Sequence, residues 1–202
     1  MVPFQYIVSA ADLDSAFSVG VHWVQLTAKS SADAEICAPL LQRAHEAGSY
    51  LVLTDDVACC KSIAADGVLL TADGIAQIAA SVPEPSGIVL QRPRPVTLAI
   101  GEARRTLGEE SPQFVAVVAE TPDDAIAAAK AGADFIQVPQ PLCPTLLQAV
   151  RERSFTTPIV ALGVADPEAV ASLLDSGISG VACSMADVPP VMVPLFLNAD
   201  EQ

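Results

Sequence analysis

Positive charge is scarce in this sequence: ten Lys and Arg stand against 24 Asp and Glu, a formal net charge of −14. A field of that sign repels a phosphate backbone and no basic cluster offsets it, which argues against DNA or RNA as a partner. A small phosphorylated ligand stays compatible, because it needs only a pocket of amides and a cation or two. Long apolar runs are missing as well. None reaches the roughly 18 residues of a membrane span, so no membrane partner is expected. The N-terminal MVPFQYIVSA lacks the basic region and apolar core of a signal peptide. Cys37, Cys59, Cys60, Cys143 and Cys183 form no CxxC pair, and are expected as reduced core-filling thiols of a cytoplasmic protein. Aromatics make up only 4%. No Gly-rich nucleotide loop follows the first apolar run, which weakens a dinucleotide-binding sheet.

What is present is an alternation of short apolar runs with amphipathic stretches. The runs are 4–10, 22–28, 50–55, 67–71, 87–91, 114–120, 135–140, 158–163 and 180–184, each of strand length. Between them, 31–48 opens on Ser and Asp and stops at Gly48. TPDDAIAAAKAG places Thr121 as N-cap, Pro122 at the first helical position, Asp123 and Asp124 in the first turn and Gly132 after the end. DPEAVASLLDSG repeats this with Asp166, Pro167, Glu168 and Gly177. Strands alternating with helices pair in parallel through right-handed crossovers. The expected fold is one (β/α)₈ barrel over residues 1–202. Nine runs exceed eight strands, so 87–91, in the Pro-rich VPEPSGIVLQRPRP, is expected within an insertion at about 74–97.

Barrels of this kind hold ligands where strands run into the following loops. Lys29 is expected to hold a phosphate as a point charge. Either Asp55 or Asp56 caps the next helix, and Asp55 is a candidate Mg²⁺ carboxylate. Gly163 with Val164, and Cys183 with Ser184, form candidate phosphate cradles where the last two strands meet their helices. His22 and His45 are poorly placed for catalysis, and no nucleophile–histidine constellation is visible.

At these strand ends the sequence resembles the thiamine phosphate synthase and thiazole tautomerase family over most of its length. VQLTAK (24–29) is similar to the family's V-Q-L-R-x-K strand, YLVLTDDV (50–57) to its I-I-N-D-D-V, and ADGVLLTAD (65–73) to its A-D-G-V-H-L-G-Q-E-D. AGADFIQV, PIVALGVADPEAV and SGISGVACSMADV resemble its last three strand units. The resemblance implies joining a pyrimidine diphosphate to a thiazole phosphate, with Mg²⁺ and loss of pyrophosphate. It makes Gln25 and Lys29 diphosphate-motif residues, puts Thr27 where the family has Arg and Thr54 where it has Asn, and keeps Asp55, with Asp73 as a second metal-site Asp. VPQPLCPT (138–145) replaces a Thr-Lys-Lys loop, Val164 replaces a glycine, and Glu120 stands where the tautomerase branch has a histidine.

Three readings follow from those departures. One is a synthase-like transferase of weak or altered activity, with Lys29 catalytic and Gln25, Thr27, Thr54, Gly163, Val164, Cys183 and Ser184 around the substrates. The second is a phosphate-binding or regulatory barrel without turnover, and the third an isomerase using Glu120 as proton carrier. Arg92 or Arg94 is a candidate to replace the missing arginine. Homo-oligomerisation stays open.

Overall fold

The computed structural model describes residues 4–31, 33–83, 94–108 and 110–197. In chain order it runs β1 (Phe4–Val8), α1 (Leu13–Ser18), β2 (Trp23–Leu26), α2 (Ala28–Ser31), α3 (Ala34–Glu46), β3 (Tyr50–Thr54), α4 (Val57–Ile63), β4 (Gly67–Leu70), α5 (Ala72–Ser81), α6 (Pro95–Leu107) and β5 (Phe114–Val118). It continues with α7 (Pro122–Lys130), β6 (Ile136–Pro139), α8 (Cys143–Glu152), β7 (Ile159–Leu162), α9 (Pro167–Asp175), β8 (Gly180–Ser184) and α10 (Val193–Leu197).

The eight strands pair in sequence order, and β1 pairs with β8, so the sheet closes into a parallel barrel. Closure explains the composition. Strands covered on both faces are largely apolar, so they read as runs instead of alternating patterns. In β3, Leu51 and Leu53 join the layer beneath the helices while Val52 points into the barrel with Leu69, Ala116, Val160 and Ala182.

The caps follow the sequence reading. Asp33 receives the amides of Glu35 and Ile36 at the start of α3, Thr121 that of Asp124, and Asp166 that of Glu168. Gly48, Gly132 and Gly177 follow their helices with φ of +73°, +82° and +97°, a region that only glycine enters cheaply.

Eight of the nine apolar runs contain the eight strands; the ninth, 87–91, lies outside the described residues. The β4–β5 connection holds two helices, α5 and α6, so the ends of the expected insertion at 74–97 are helical. The run 22–28 is shorter as a strand than its apolarity implies. Thr27 donates a last amide to Val8 O (3.0 Å), and Ala28 then starts a helical turn.

Candidate functional site

Parallel closure gathers the C-terminal ends of all eight strands at one mouth. Asp55 follows β3 directly, Gly163 follows β7 directly, Ser184 closes β8, and Glu120 lies two residues beyond β5. Lys29 does not close β2 itself; it is exposed on the one-turn α2 just beyond.

Asp55 is the most constrained group there. Its φ is +63°, a left-handed conformation that Asp tolerates better than bulkier residues. One carboxylate oxygen accepts the Thr71 amide (2.7 Å) and the other the Thr71 hydroxyl (2.6 Å). This lays the carboxylate on the N-terminal turn of α5, where the helix dipole favours negative charge. Gly74 makes room for it, since a Cβ there would lie 2.0 Å from Asp55 Oδ1. Asp56 is the helix-capping member of the pair, receiving the Cys59 amide at 2.7 Å. Asp55, Asp56 and Asp73 border one cavity of about 670 Å³ that continues between α4, α5 and α6, where Ala58, Ile78, Ala103 and Thr106 wall it.

Gln25 lies in a different layer. It is 4% exposed, and its carboxamide is engaged inside the barrel. Nε2 donates to Thr54 Oγ1 (3.1 Å), while Oε1 accepts from Gln5 Nε2 (3.2 Å) and Gln137 Nε2 (3.0 Å). Thr54 in turn donates to Leu26 O (2.5 Å), and Gln137 Nε2 also donates to Gln5 Oε1 (2.7 Å). The two motif positions Gln25 and Thr54 are thus parts of one buried polar layer. Gln137 is fully buried, and its Oε1 has no partner among the described residues. Sequence reading missed Gln5 and Thr71; a lone polar residue inside an apolar run was the available signal for Gln5.

At the β7–β8 end the turns are mostly closed. Gly163, at φ +79°, donates its amide to Ala182 O (2.9 Å), and the Cys183 thiol reaches Val164 O (2.7 Å). Ser184 donates its hydroxyl to Asp187 (2.6 Å) and accepts the Asp187 amide (3.2 Å). Asp187, unforeseen in the sequence, therefore sets a carboxylate beside the hydroxyl expected to meet a phosphate.

The cations are few here. Arg94 binds Asp123 (2.5 Å) and Asp124 (3.4 Å), and Arg92 lies outside the described residues. Thr27 bonds Ser30 Oγ (3.2 Å). Glu120 is exposed at a neighbouring cavity of about 530 Å³ with Val118 and Asp124. His45 pairs with Asp66 (3.0 Å) on the outside of α3. All five cysteines are buried and none is in a disulfide; burial pushes Cys59, Cys60 and Cys183 up to about 12 and Cys143 to about 11. They are inert packing groups rather than nucleophiles.

Comparison with known proteins gives a consistent direction. No family model matches the chain. A thiamine-phosphate synthase of Bacteroides thetaiotaomicron is 26% identical, covering 91% of this chain and 88% of its own length. Thiamine-phosphate synthases resemble this chain. A second, from Bacteroides fragilis, is 27% identical and covers 91% and 85%. Among solved structures, a thiamine phosphate pyrophosphorylase from Pyrococcus furiosus superposes with a TM-score of 0.69 over 99% of this chain and 96% of that one, at 17% identity. A 3-hexulose-6-phosphate synthase gives 0.64 over 98% and 99%, at 14% identity. At those identities the structural likeness speaks for the fold alone. No described helix is long and apolar enough to cross a membrane.

Proposed function

We propose that this protein is a cytoplasmic, thiamine-phosphate synthase-like transferase of low turnover. It joins a pyrimidine methyl diphosphate to a thiazole phosphate at the C-terminal mouth and releases pyrophosphate. The observation that carries this reading is the match to curated synthases along 91% of the chain. The shared cavity of Asp55 and Asp73 supports it.

In this reading Asp55 and Asp73 would hold Mg²⁺, which takes one or two protein oxygens and completes its shell with water and phosphate oxygens. The Thr71 bonds use one lone pair on each Asp55 oxygen and leave acceptor capacity. Bound there, the ion would neutralise charge on the diphosphate. Thr71 holds the Asp55 carboxylate in place, and Ile7, Val118 and Leu162, packed on the inner apolar cluster, would give ring-shaped substrates an apolar contact. In this reading Lys29, exposed on α2, would meet the departing diphosphate.

Low turnover follows from the missing cations. Thr27 brings a hydroxyl where the resemblance implies a guanidinium, and Arg94 is held by Asp123 and Asp124. A charge-assisted contact to a developing anion contributes about 2–4 kcal/mol, or roughly 10²–10³ in rate. The Ser184–Asp187 contact favours a second reading, a ligand-binding barrel without turnover, because a carboxylate there opposes the thiazole phosphate.

A single-turnover experiment separates the two. The full chain in excess is mixed with both substrates and Mg²⁺, and thiamine phosphate and pyrophosphate are quantified. Slow formation of both in equal amounts supports the transferase. Saturable binding of the substrates with no product supports the second reading and overturns the first.

A further inference from the structure

The opposite, N-terminal end of the barrel carries a separate cavity of about 290 Å³, walled by Gln5, Trp23, Phe114, Phe135 and Val160. Four of the chain's nine aromatic residues gather at this end. Trp23 lies 4.9 Å from Phe114, 5.5 Å from Phe135 and 5.6 Å from Tyr50, ring centre to ring centre. The Trp23–Phe135 contact is edge-to-face and the others are tilted, arrangements that satisfy the rings' own quadrupoles. Gly67 is part of the same construction, because a Cβ there would come within 2.4 Å of the Phe114 ring.

Two polar details define what fits. Asp134 borders the cavity, but its carboxylate is taken by Arg104 and by the Val115 amide (2.6 Å), so it does not call for a cation. Gln5 is 3% exposed, and its Nε2 donates to one acceptor, Gln25 Oε1. A carboxamide nitrogen carries two hydrogens, and Gln5 Nε2 makes one donated bond among the described residues. The volume lies just below the roughly 300–1,000 Å³ of pockets for drug-sized ligands, which limits it to a small molecule.

We propose that this cavity binds an uncharged planar aromatic heterocycle of one or two fused rings. Trp23, Phe114 and Phe135 pack against the ring, and its acceptor atom meets the Gln5 amide. The site lies at the opposite end of the strands, linked to the mouth through the buried Gln5–Gln25–Thr54 bonds, and it rests on none of the observations behind the transferase reading.

Trp23 is the chain's single tryptophan, so its indole N–H gives one resolved signal in a ¹⁵N-labelled sample. The full chain is titrated with isoquinoline at mildly alkaline pH, where the probe is neutral, and in parallel with naphthalene, which has the same shape and no acceptor. A saturable shift of the indole signal is expected, with isoquinoline binding about 2–10-fold tighter, the worth of one neutral hydrogen bond. Val160→Phe, which fills the cavity, abolishes the shift. Gln5→Leu keeps binding but removes the preference for isoquinoline, and serves if Val160→Phe fails to fold. No saturable shift, or a shift unchanged in the filled cavity, overturns the proposal. So does probe-free self-association that moves the indole signal with protein concentration, since a second copy then occupies this face.

Discussion

Asp55 holds Thr71 twice, at 2.7 Å through the amide and 2.6 Å through the hydroxyl, and so ties the end of β3 to the start of α5. The same carboxylate is the candidate Mg²⁺ ligand. Its structural bonds pre-orient it for that role, because they remove the rotamer freedom that metal binding would otherwise have to restrict.

Gly74→Ala tests this brace. The new methyl group would lie 2.0 Å from Asp55 Oδ1 and displace the carboxylate from Thr71. Losing hydrogen bonds to a charged group costs about 1.5–3 kcal/mol, against roughly 0.5–1 kcal/mol gained in helix propensity. Net destabilisation of about 1–2 kcal/mol is expected in urea unfolding. In an Asp55→Ala background the same change should be neutral or stabilising. Equal costs in both backgrounds would show that Asp55 is not what the methyl meets.

Thr27→Arg should raise single-turnover thiamine phosphate formation by roughly 10²-fold, by restoring one cation to the diphosphate. Thr54→Asn should not help. Thr54 is 4% exposed and bonded to Gln25 and Leu26 O, so a longer amide has to break into the buried layer. Its expected signature is a lowered Tm, measured by calorimetry. A rate gain from Thr54→Asn with unchanged Tm would contradict the packing described for Gln25.

Asp187→Ala should strengthen anion binding at the β7–β8 turns. The substitution removes a carboxylate and frees the Ser184 hydroxyl to donate outward. Calorimetric titration with inorganic phosphate and with thiazole phosphate is expected to show at least about tenfold tighter binding than the parent, since an exposed like charge near the ligand costs on the order of 1 kcal/mol and the hydroxyl adds a bond. Unchanged affinity for both anions would place the phosphate elsewhere.

Stability should fall in alkali. Cys59, Cys60 and Cys183 are held at about 12 in the folded chain and Cys143 at about 11, against 9.0 for a free thiol. Below pH 9 both states are protonated and the contribution is full. Above it the unfolded chain releases protons first, and each thiol costs about 1.4 kcal/mol per pH unit until its folded pKa is reached. Urea unfolding between pH 8 and 11 checks the slope. Cys183→Ala should flatten it by one thiol's share; an unchanged slope would remove Cys183 from the titrating set.

Much of the architecture was legible in the linear sequence because its causes are local. Thr121, Asp166 and Asp33 cap helices through amides two or three residues away, Gly48, Gly132 and Gly177 stop them by accepting a positive φ, and eight apolar runs mark strands buried on both faces. The alternation of those runs with helices implies parallel pairing through right-handed crossovers, while closure itself is seen in the pairing of β1 with β8. The site depended on groups far apart in the chain. Gln25 is drawn inward by Gln5 and Gln137, 20 and 112 residues away. Asp55 is pinned by Thr71, 16 residues on, and Asp187 turns its charge onto Ser184. Which polar group faces the mouth depends on the partners that the closed barrel brings within reach, because a buried polar group is costly to leave unpaired. The sequence by itself pointed to the barrel and to Asp55, Glu120, Gly163 and Ser184 at the ends of its strands; only the tertiary structure turned Gln25 inward and set Asp187 on Ser184.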